Sequence, residues 1–456
     1  MRRLMIALVF GLAACAPTDR AEVTKRTDAQ GIGVGILPAM KSFPLMAAPA
    51  PTRSNANIAA DFRDLEFHLE SGRALPVFTR FEGPITVAMR GEIPPAAAAD
   101  LDRLLIRLRA EAGLTIDATQ SDDASVTIEF LPRKKMQALV PTAACFVAPR
   151  VTNWADYRKS RRSDVLDWTT LTRREKVAIF VPSDTSPQEV RDCLHEELAQ
   201  ALGPLNDLYR LPDSVFNDDN FQTVLTGFDM LILRLHYSPR LHNGMSEAEV
   251  AQKLPHLLAE MNPKGEFAGT SPTTLCPREW VQSIETALGP VAKDGRRIKA
   301  AERALAIAQA ERWADNRLAF SHFAVARLSL GKDAARALAS FSEAARIYQS
   351  LPEGPVHTAH VDMQMAAFAL SSGKPEVTIS LADAAIPVVM RTENAALLAT
   401  FLLLKAQALD QLGRGEEAQA VRLDSLGWAR YGFGSDDNVR ARIKDIAALS
   451  PLGIGG

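Results

Sequence analysis

The feature that most constrains the fold is a regular pattern in the last third of the chain. Three glycines, each followed by a basic residue, stand at Gly331, Gly373 and Gly413, at spacings of 42 and 40 residues. An apolar stretch of helical length precedes each glycine, and a second one follows it. Because a glycine just after an apolar helical stretch ends the helix, the pattern predicts three pairs of packed helices. The predicted helices are 318–330, 334–348, 361–370, 377–389, 397–412 and 416–426, with a capping helix over 437–450.

These helix pairs resemble tetratricopeptide repeats, in which small residues let neighbouring helices approach closely. Alanines recur within the predicted helices, for example at Ala324, Ala344 and Ala367. The usual period of that class is about 34 residues, so the longer spacing here indicates extended helices or a related class. A plain helical bundle is the alternative, because only three turns are visible. The resemblance implies a repeat domain over residues 297–456 with a concave surface for a partner protein.

The first 15 residues have the pattern of a secretory signal peptide. Arg2 and Arg3 precede a short apolar stretch, and small residues then lead to Cys15. This end resembles a bacterial lipobox, which implies a lipid-anchored cysteine; an ordinary signal peptide with a chance cysteine is the alternative. Ala16 stands where an aspartate would signal inner-membrane retention, so the resemblance implies the outer membrane, facing the periplasm. Residues 16–58 are rich in small residues and proline and are predicted to be a flexible tether.

Residues 59–245 alternate predicted strands with helices, and a helical connector over 246–296 leads to the repeats. The last predicted strand is followed by a well-marked helix. Ser186 suits the N-cap, Pro187 the first turn, and Glu189 would complete a capping box. Gly203 is expected to end the helix in the left-handed conformation. The predicted strands are 85–89, 114–117, 125–130 and 176–182, and an earlier helix covers 96–112.

The helix after Ser186 carries polar residues at the spacing of a known metal-binding motif. Metzincin proteases present His-Glu-x-x-His-x-x-Gly-x-x-His/Asp, in which the histidines hold zinc and the glutamate activates water. Here the same positions hold Glu196, Glu197, Gln200, Gly203 and Asn206. The run therefore resembles a metzincin helix whose ligands have changed. Because carboxamides are poor zinc ligands, the frame supplies one good ligand where a catalytic site needs three, and we expect no metal and no cofactor.

The sequence after this helix continues the resemblance. Residues 213–219 fall where metzincins place a turn with a methionine, and Phe216 or Val215 takes its place. Residues 225–237 resemble the helix that closes such domains. The resemblance implies a degenerate zincin-like domain over 59–245, so the predicted fold class is α+β followed by an all-α helical-repeat domain.

The motif is also similar to that of uncharacterised bacterial envelope proteins that carry a domain of unknown function. Their run is Cys-Leu-x-Glu-Glu-x-x-Gln-x-Leu-Gly-x-x-Asn-Asp. The matching residues are Cys193, Leu194, Glu196, Glu197, Gln200, Leu202, Gly203, Asn206 and Asp207. This similarity implies kinship and no particular activity.

Five polar residues of the motif are predicted to form a binding or structural polar network. They are Glu196, Glu197, Gln200, Asn206 and Asp207. Glu197 is the candidate general base of an atypical hydrolase, which would need an imidazole from elsewhere, such as His236 or His242. Both histidines are better explained as structural. Asp218 and Asp219 could bind calcium, but a short acidic turn is usually only a turn.

Cys145, Cys193 and Cys276 remain after the signal peptide. An oxidising periplasm favours one disulfide and one leftover thiol. A Cys145–Cys193 pair would pin the motif helix to a neighbouring strand, whereas three buried thiols are the alternative.

These observations favour a non-catalytic, periplasm-facing lipoprotein that binds a protein or peptide partner. The formal charge of −2 gives no reason to expect nucleic acid. The sequence lacks a phosphate-binding Gly-x-x-x-x-Gly-Lys loop and a Gly-x-Ser-x-Gly elbow. Cys193 and His195 point to different sides of a helix and cannot act as a nucleophile–base pair. The alternatives are an atypical metallopeptidase or other hydrolase that uses Glu197, and a structural organiser of an envelope complex.

Overall fold

The structure is a computed structural model that describes residues 37–268, 275–289 and 292–450. The predicted signal peptide and the predicted lipidation site at Cys15 lie outside the described residues. Among the helices of the described part, none combines the length and apolar character needed to cross a membrane.

The first domain is built on a five-stranded sheet with the order β2-β1-β3-β5-β4. All neighbouring pairs are parallel except β4 and β5, which are antiparallel. The central strands are buried on both faces, as their continuous apolar sequences require. The strands are β1 Ile85–Gly91, β2 Ile116–Ala118, β3 Val126–Leu131, β4 Phe146–Pro149 and β5 Val177–Pro182.

Seven helices surround this sheet, and the one after β5 carries the motif. They are α1 Asn55–Phe67, α2 Ala97–Ala112, α3 Arg133–Gln137, α4 Trp154–Ser160, α5 Pro187–Leu202, α6 Gly227–His236 and α7 Glu247–Met261. Helix α7 packs on α1 and buries Val250, Leu254 and Leu258 in the core of the first domain. The predicted connector therefore begins too early, because the apolar face of α7 completes this core.

The second part is an array of helices, each packed against the next in the chain. Gly331, Gly373 and Gly413 have φ values of 80°, 67° and 73°, so each ends a helix in the left-handed region, which favours glycine. The predicted fold class, a mixed domain followed by packed repeat-like helices, is confirmed. The helices are α8 Arg278–Leu288, α9 Asp294–Ala310, α10 Asn316–Ser329, α11 Ala334–Gln349, α12 Pro355–Ser371, α13 Pro375–Arg391, α14 Ala395–Gln411, α15 Gly415–Phe433 and α16 Asp436–Ala447.

Part of the predicted tether is packed against the array. Leu37 and Phe43 are buried, and Phe43 stacks on Trp428 of α15 with ring centroids 4.6 Å apart. The backbone N–H of Lys41 donates to the carbonyl of Gly427 at 3.1 Å. Residues 37–43 of the predicted tether therefore lie against the array, because Leu37 and Phe43 enter its core, and residues 55–58 form the first turn of α1.

The two parts share an apolar and polar interface at the N-terminal ends of α10 and α12. Phe221, in the loop before α6, packs edge-on against Phe320, Phe323 and Tyr348 of the array. The next contact is an ion pair across the interface, with Asp219 Oδ2 3.2 Å from His357 Nε2. Further hydrogen bonds join Asn316 to the carbonyl of Tyr209 at 2.5 Å, Gln188 to Asn394 at 3.0 Å and Tyr431 to Asp100 at 2.9 Å.

We expect Phe221→Ala to lower the free energy of unfolding by about 3 kcal/mol, because it leaves a cavity among aromatic rings at the interface. Urea unfolding followed by tryptophan fluorescence measures this loss. Phe267→Ala is the matched control: that ring is 52% exposed, so its removal should cost no more than about 0.5 kcal/mol. Equal losses for the two variants would contradict a packed interface at Phe221.

Candidate functional site

Helix α5 holds the motif in a defined orientation at its N-terminal end. The Ser186 hydroxyl accepts a hydrogen bond from the backbone N–H of Glu189 at 3.2 Å, as a cap should. The Glu189 carboxylate does not return to the Ser186 backbone; it contacts Arg133 and Thr185. The predicted capping box is therefore only half formed, because a nearby guanidinium competes for the carboxylate.

A buried guanidinium closes the other end of α5. Arg174 donates to the carbonyls of Gln200 and Ala201, at 2.7 Å each, and to the carbonyl of Gly203. The last carbonyls of a helix lack partners within it and carry partial negative charge, so this cation both satisfies and stabilises them. The position of residues 200–203 therefore depends on one side chain from the loop before β5.

Gly203 does not adopt the left-handed conformation expected from the sequence, since its φ is −155° and its ψ is −98°. A Cβ at this position would lie 3.0 Å from Nδ1 of His236. This approach is tighter than most Cβ contacts, so it favours glycine at this position. His236 is fully buried and places the same Nδ1 2.8 Å from Oε1 of Glu66. The prediction of a left-handed exit is wrong because a neighbouring ring, and not the chain reversal, selects glycine.

A disulfide joins Cys145, the residue just before β4, to Cys193 of α5, with their Cα atoms 6.0 Å apart. It ties the motif helix to the edge strand of the sheet. Cys276 is a free, partly buried thiol.

The five motif residues do not form one network. Gln200 donates from Nε2 to Oδ2 of Asp207 at 3.0 Å, so these two side chains are joined. Asn206 instead donates to the carbonyl of Asp64 in α1 at 2.9 Å and serves the backbone. The charge of Glu196 acts on Asp207, but neither Glu196 nor Glu197 shares a hydrogen bond with Gln200 or Asn206.

Carboxyl groups dominate the surroundings of α5. We call Glu70, Glu196, Glu197, Asp207 and Asp218 the carboxyl cluster. Burial and the charges of Asp218 and Glu70 raise the pKa of Glu196 to about 8. The pKa of Glu197 is raised well above its usual range by burial and then by Glu196 and Glu70. Like charges near a carboxyl disfavour its ionised form, so much of this cluster holds protons at neutral pH.

Asp207 and Asp218 extend the same pattern towards solvent. The pKa of Asp207 is raised well above its usual range by burial and by Asp218 and Glu70. Burial, Glu70 and Glu285 of α8 raise the pKa of Asp218 to about 7. The Asp218 side chain is exposed, so water screens part of this effect.

Some members of the carboxyl cluster are buried, and others are exposed to solvent. Glu197 is only 4% exposed, and its Oε2 has no hydrogen-bond partner among the described residues. Within the same described part, Oδ1 of Asp207 is buried and also unpartnered. Glu70 and Asp218 are exposed, and Glu196 is partly buried. Buried oxygens without hydrogen-bond partners lower the stability of the folded state. The unpartnered oxygens of Glu197 and Asp207 are therefore unfavourable unless a ligand or another group donates to them.

The nearby histidines serve other partners. His195 accepts the backbone N–H of Leu225 at its Nδ1, and burial followed by three arginine charges lowers its pKa well below the usual range. His242 is exposed and contacts the carbonyl of Asn243. Across residues 37–268, 275–289 and 292–450, no three or more His, Cys, Asp or Glu side chains are grouped as metal ligands would be.

Asp218 and Asp219, which the sequence offered as a weak calcium candidate, have different partners in the structure. Asp218 joins the carboxyl cluster, whereas Asp219 pairs with His357 across the interface. Sequence reasoning missed Glu70, which lies just after α1 and reaches the motif only through the fold. It also missed Arg174, for which the only signal was its place between two other charged residues.

Residues 55–256 match the model of a family described as "Protein of unknown function (DUF2927)". This segment is similar to that family, and we call the first domain the DUF2927 domain after this similarity. The match begins at the first residue of α1 and ends within α7, so it agrees with the core of the first domain. It covers less than half of the chain, and the helical array lies beyond it. Comparison with curated proteins found no match, and comparison with solved structures found none.

Replacing Arg174 should destabilise the DUF2927 domain strongly. We expect Arg174→Leu to lower the free energy of unfolding by about 3 kcal/mol, because buried carbonyls at the end of α5 lose their donors. Arg173→Leu is the control, since the Arg173 side chain is 67% exposed and pairs only with exposed Glu175; a loss of about 0.5 kcal/mol or less is expected. Thermal or urea unfolding measures the stability of both variants. A similar loss in both would contradict the proposal that Arg174 stabilises the end of α5.

The raised pKa of Glu196 gives a pH-dependent prediction. In the unfolded chain this carboxyl ionises near its usual 4.5, and in the folded chain near 8. Between these values the folded state binds an extra proton, so this contribution to stability is lost as pH rises. Glu196→Gln removes the effect. Its stability relative to wild type should therefore grow by about 1–3 kcal/mol from about pH 5 to about pH 9.

Urea unfolding at several pH values measures this difference. The exposed Asp102 of α2 supplies the control, because Asp102→Asn should shift stability by the same small amount at each pH. If the curves of Glu196→Gln and wild type run parallel, Glu196 does not titrate abnormally.

Proposed function

We propose that this protein is a non-catalytic binding protein whose carboxyl cluster recognises a cationic group on a protein or peptide partner. The observation that carries the proposal is the gathering of five carboxyl groups at α5. The charged neighbours that act on Glu196 and Glu197 are all carboxyl groups. An ammonium or guanidinium group entering from the exposed side would relieve this repulsion and supply donors to the unpartnered oxygens.

We also propose that the DUF2927 domain is a zincin-type scaffold that no longer works as a metalloprotease. In support, α5 follows the last strand of the sheet and carries the motif, as the resemblance implies. Glu196 and Glu197 occupy frame positions and lie in the carboxyl cluster. Gln200 touches the cluster through Asp207, whereas Asn206 turns to α1. The cleft would thus be retained for recognition after the imidazole ligands were lost.

The hydrolase alternative is less well supported. A general base must be ionised to accept a proton, and burial with the charges of Glu196 and Glu70 raises the pKa of Glu197, which disfavours its ionised form. His195 is engaged with Leu225, and His236 is engaged with Glu66. Glu197-dependent cleavage of a peptide would restore this alternative.

The organiser alternative relies on the helical array as the binding surface. The N-terminal ends of α10, α12 and α14 face the DUF2927 domain, through Asn316, His357 and Asn394. Because this edge is already occupied within the chain, we place the partner site at the carboxyl cluster.

We propose that the protein is lipid-anchored at Cys15 and faces the periplasm from the outer membrane. The Cys145–Cys193 disulfide supports an oxidising compartment, since such bonds rarely persist in the cytosol. Palmitate labelling of the wild type and of Cys15→Ser in bacterial cells distinguishes an acylated from an unacylated chain.

Peptides of equal length that carry lysine, glutamine or glutamate at the same positions test the recognition proposal. Calorimetry should detect binding of the lysine peptide alone. Binding should be tighter at about pH 8.5 than at about pH 6.5, because Glu196 and Asp218 ionise in this window while lysine stays charged. Each cation bound should release protons, which calorimetry in two buffers of different ionisation enthalpy measures.

The double variant Glu196→Gln with Asp207→Asn should weaken lysine-peptide binding at least about tenfold, or 1.4 kcal/mol. Its matched control, Asp102→Asn with Glu416→Gln, makes the same two kinds of substitution at exposed positions away from the cluster. Equal weakening by the control, or equal binding of the glutamine peptide, would refute recognition at the cluster.

A further inference from the structure

In contrast to the acidic carboxyl cluster, the surface at α3 and α4 carries a concentration of unpaired positive charge. Six cationic side chains there are exposed, and none has an ion pair or hydrogen bond through its charged group within the described part of the chain. We call them the basic surface. They are Lys134, Lys135, Arg158, Lys159, Arg161 and Arg162.

The fold brings the two basic segments together. Met136 of α3 and Trp154 of α4 are buried in one small apolar cluster, which rests on Phe180 of β5. Beside this cluster, an open depression of about 430 Å³ is lined by Leu139 and Ala155 together with Arg158, Lys159 and Arg161. The cations of both helices therefore border the same edge of the sheet.

Most arginines in this domain have a partner, so the basic surface is unusual. Arg133, one residue before Lys134, is paired with Glu189. Asp156 is the only acidic residue within α4, and it accepts hydrogen bonds from Thr152 and Asn153. Six like charges without ion-pair partners repel one another, and an anionic partner would offset this repulsion.

We propose that the basic surface binds the phosphate headgroups of an anionic lipid membrane. Clusters of four to eight lysines and arginines on a helix are typical of anionic-lipid binding. An apolar side chain also borders the cations: Val165 is 39% exposed. Tyr157 of α4 is partly buried and gives the surface an amphipathic ring of the kind enriched where protein meets headgroups. The open depression is large enough for a lipid headgroup. A deep groove is not necessary, because the surface of a bilayer is flat.

This inference is independent of the proposed function, because it uses a different set of residues and an anionic partner. Together they would give the chain one surface for a membrane and another for a cationic ligand.

Vesicle co-sedimentation tests the inference with the chain that begins at Ala16, which retains every described residue and lacks the predicted acylation site. Vesicles of phosphatidylcholine with about one quarter phosphatidylglycerol should bind the protein, and vesicles of phosphatidylcholine alone should not. Binding should fall strongly between about 0.05 M and about 0.3 M salt, because the contacts are exposed charges.

The variant Arg158→Gln, Lys159→Gln, Arg161→Gln and Arg162→Gln should reduce the partition coefficient at least about tenfold. Its matched control neutralises four other exposed cations at α9, with the same change in net charge. These are Lys293→Gln, Arg296→Gln, Lys299→Gln and Arg312→Gln, and this variant should bind as wild type does. Unchanged melting temperatures show that both variants fold.

Three outcomes would overturn the inference. The first is equal loss of binding in the control, which would indicate a general charge effect. The second is equal binding to neutral vesicles. The third is tighter binding to a DNA duplex than to anionic vesicles at equal phosphate concentration, which would assign the basic surface to nucleic acid.

Discussion

The guanidinium of Arg174 is the contact on which the geometry of the site depends most. It donates to three carbonyls at the end of α5, although burial lowers its pKa and works against a charged group at this position. The negative end of the helix dipole and the freed carbonyls offset that burial. Because Gln200 and Gly203 are both held in this way, the chain leaves α5 in a fixed direction, and Asp207 returns beside Gln200.

The same helix is held at three further places, so the carboxyl cluster lies on a rigid element. The disulfide ties its middle to β4. At its first turn, Gln188 exchanges hydrogen bonds with the start of α14, accepting the N–H of Ala396 at 2.8 Å. Arg191 donates to the carbonyl of Glu393 at 2.7 Å. A change at the interface with the helical array would therefore reach Glu196 and Glu197 through α5 itself.

What the sequence predicted well was local and periodic. The paired helices around Gly331, Gly373 and Gly413 follow from apolar spacing and glycine alone, and the start of α5 follows from Ser186 and Pro187. What it could not predict depends on distant residues. Glu70 lies more than 120 positions before Glu196 in the chain and acts on it only in the folded protein, and Gly203 is favoured by the approach of a histidine 33 positions later.

The predicted tether is a second case in which the sequence did not predict a contact between distant residues. Composition indicated a segment without structure, yet two apolar side chains, Leu37 and Phe43, suffice to dock it on α15. Composition averages over a segment, whereas burial is decided by single side chains that find a complementary surface. The fold class was therefore predictable, but the boundaries of the first domain were not.

Under the zincin origin that we propose, replacing imidazoles with carboxyl groups would change how the site is neutralised. Neutral imidazoles tolerate burial beside a divalent cation, and a metal would hold nearby carboxyl groups ionised. In the carboxyl cluster the charged neighbours of Glu196 and Glu197 are themselves acids, so protons take the place of a counter-charge. Any cation that enters must displace those protons, and its affinity must rise with pH. A site of this kind suits reversible recognition, because ligand and proton compete for the same oxygens, and it does not suit water activation at Glu197.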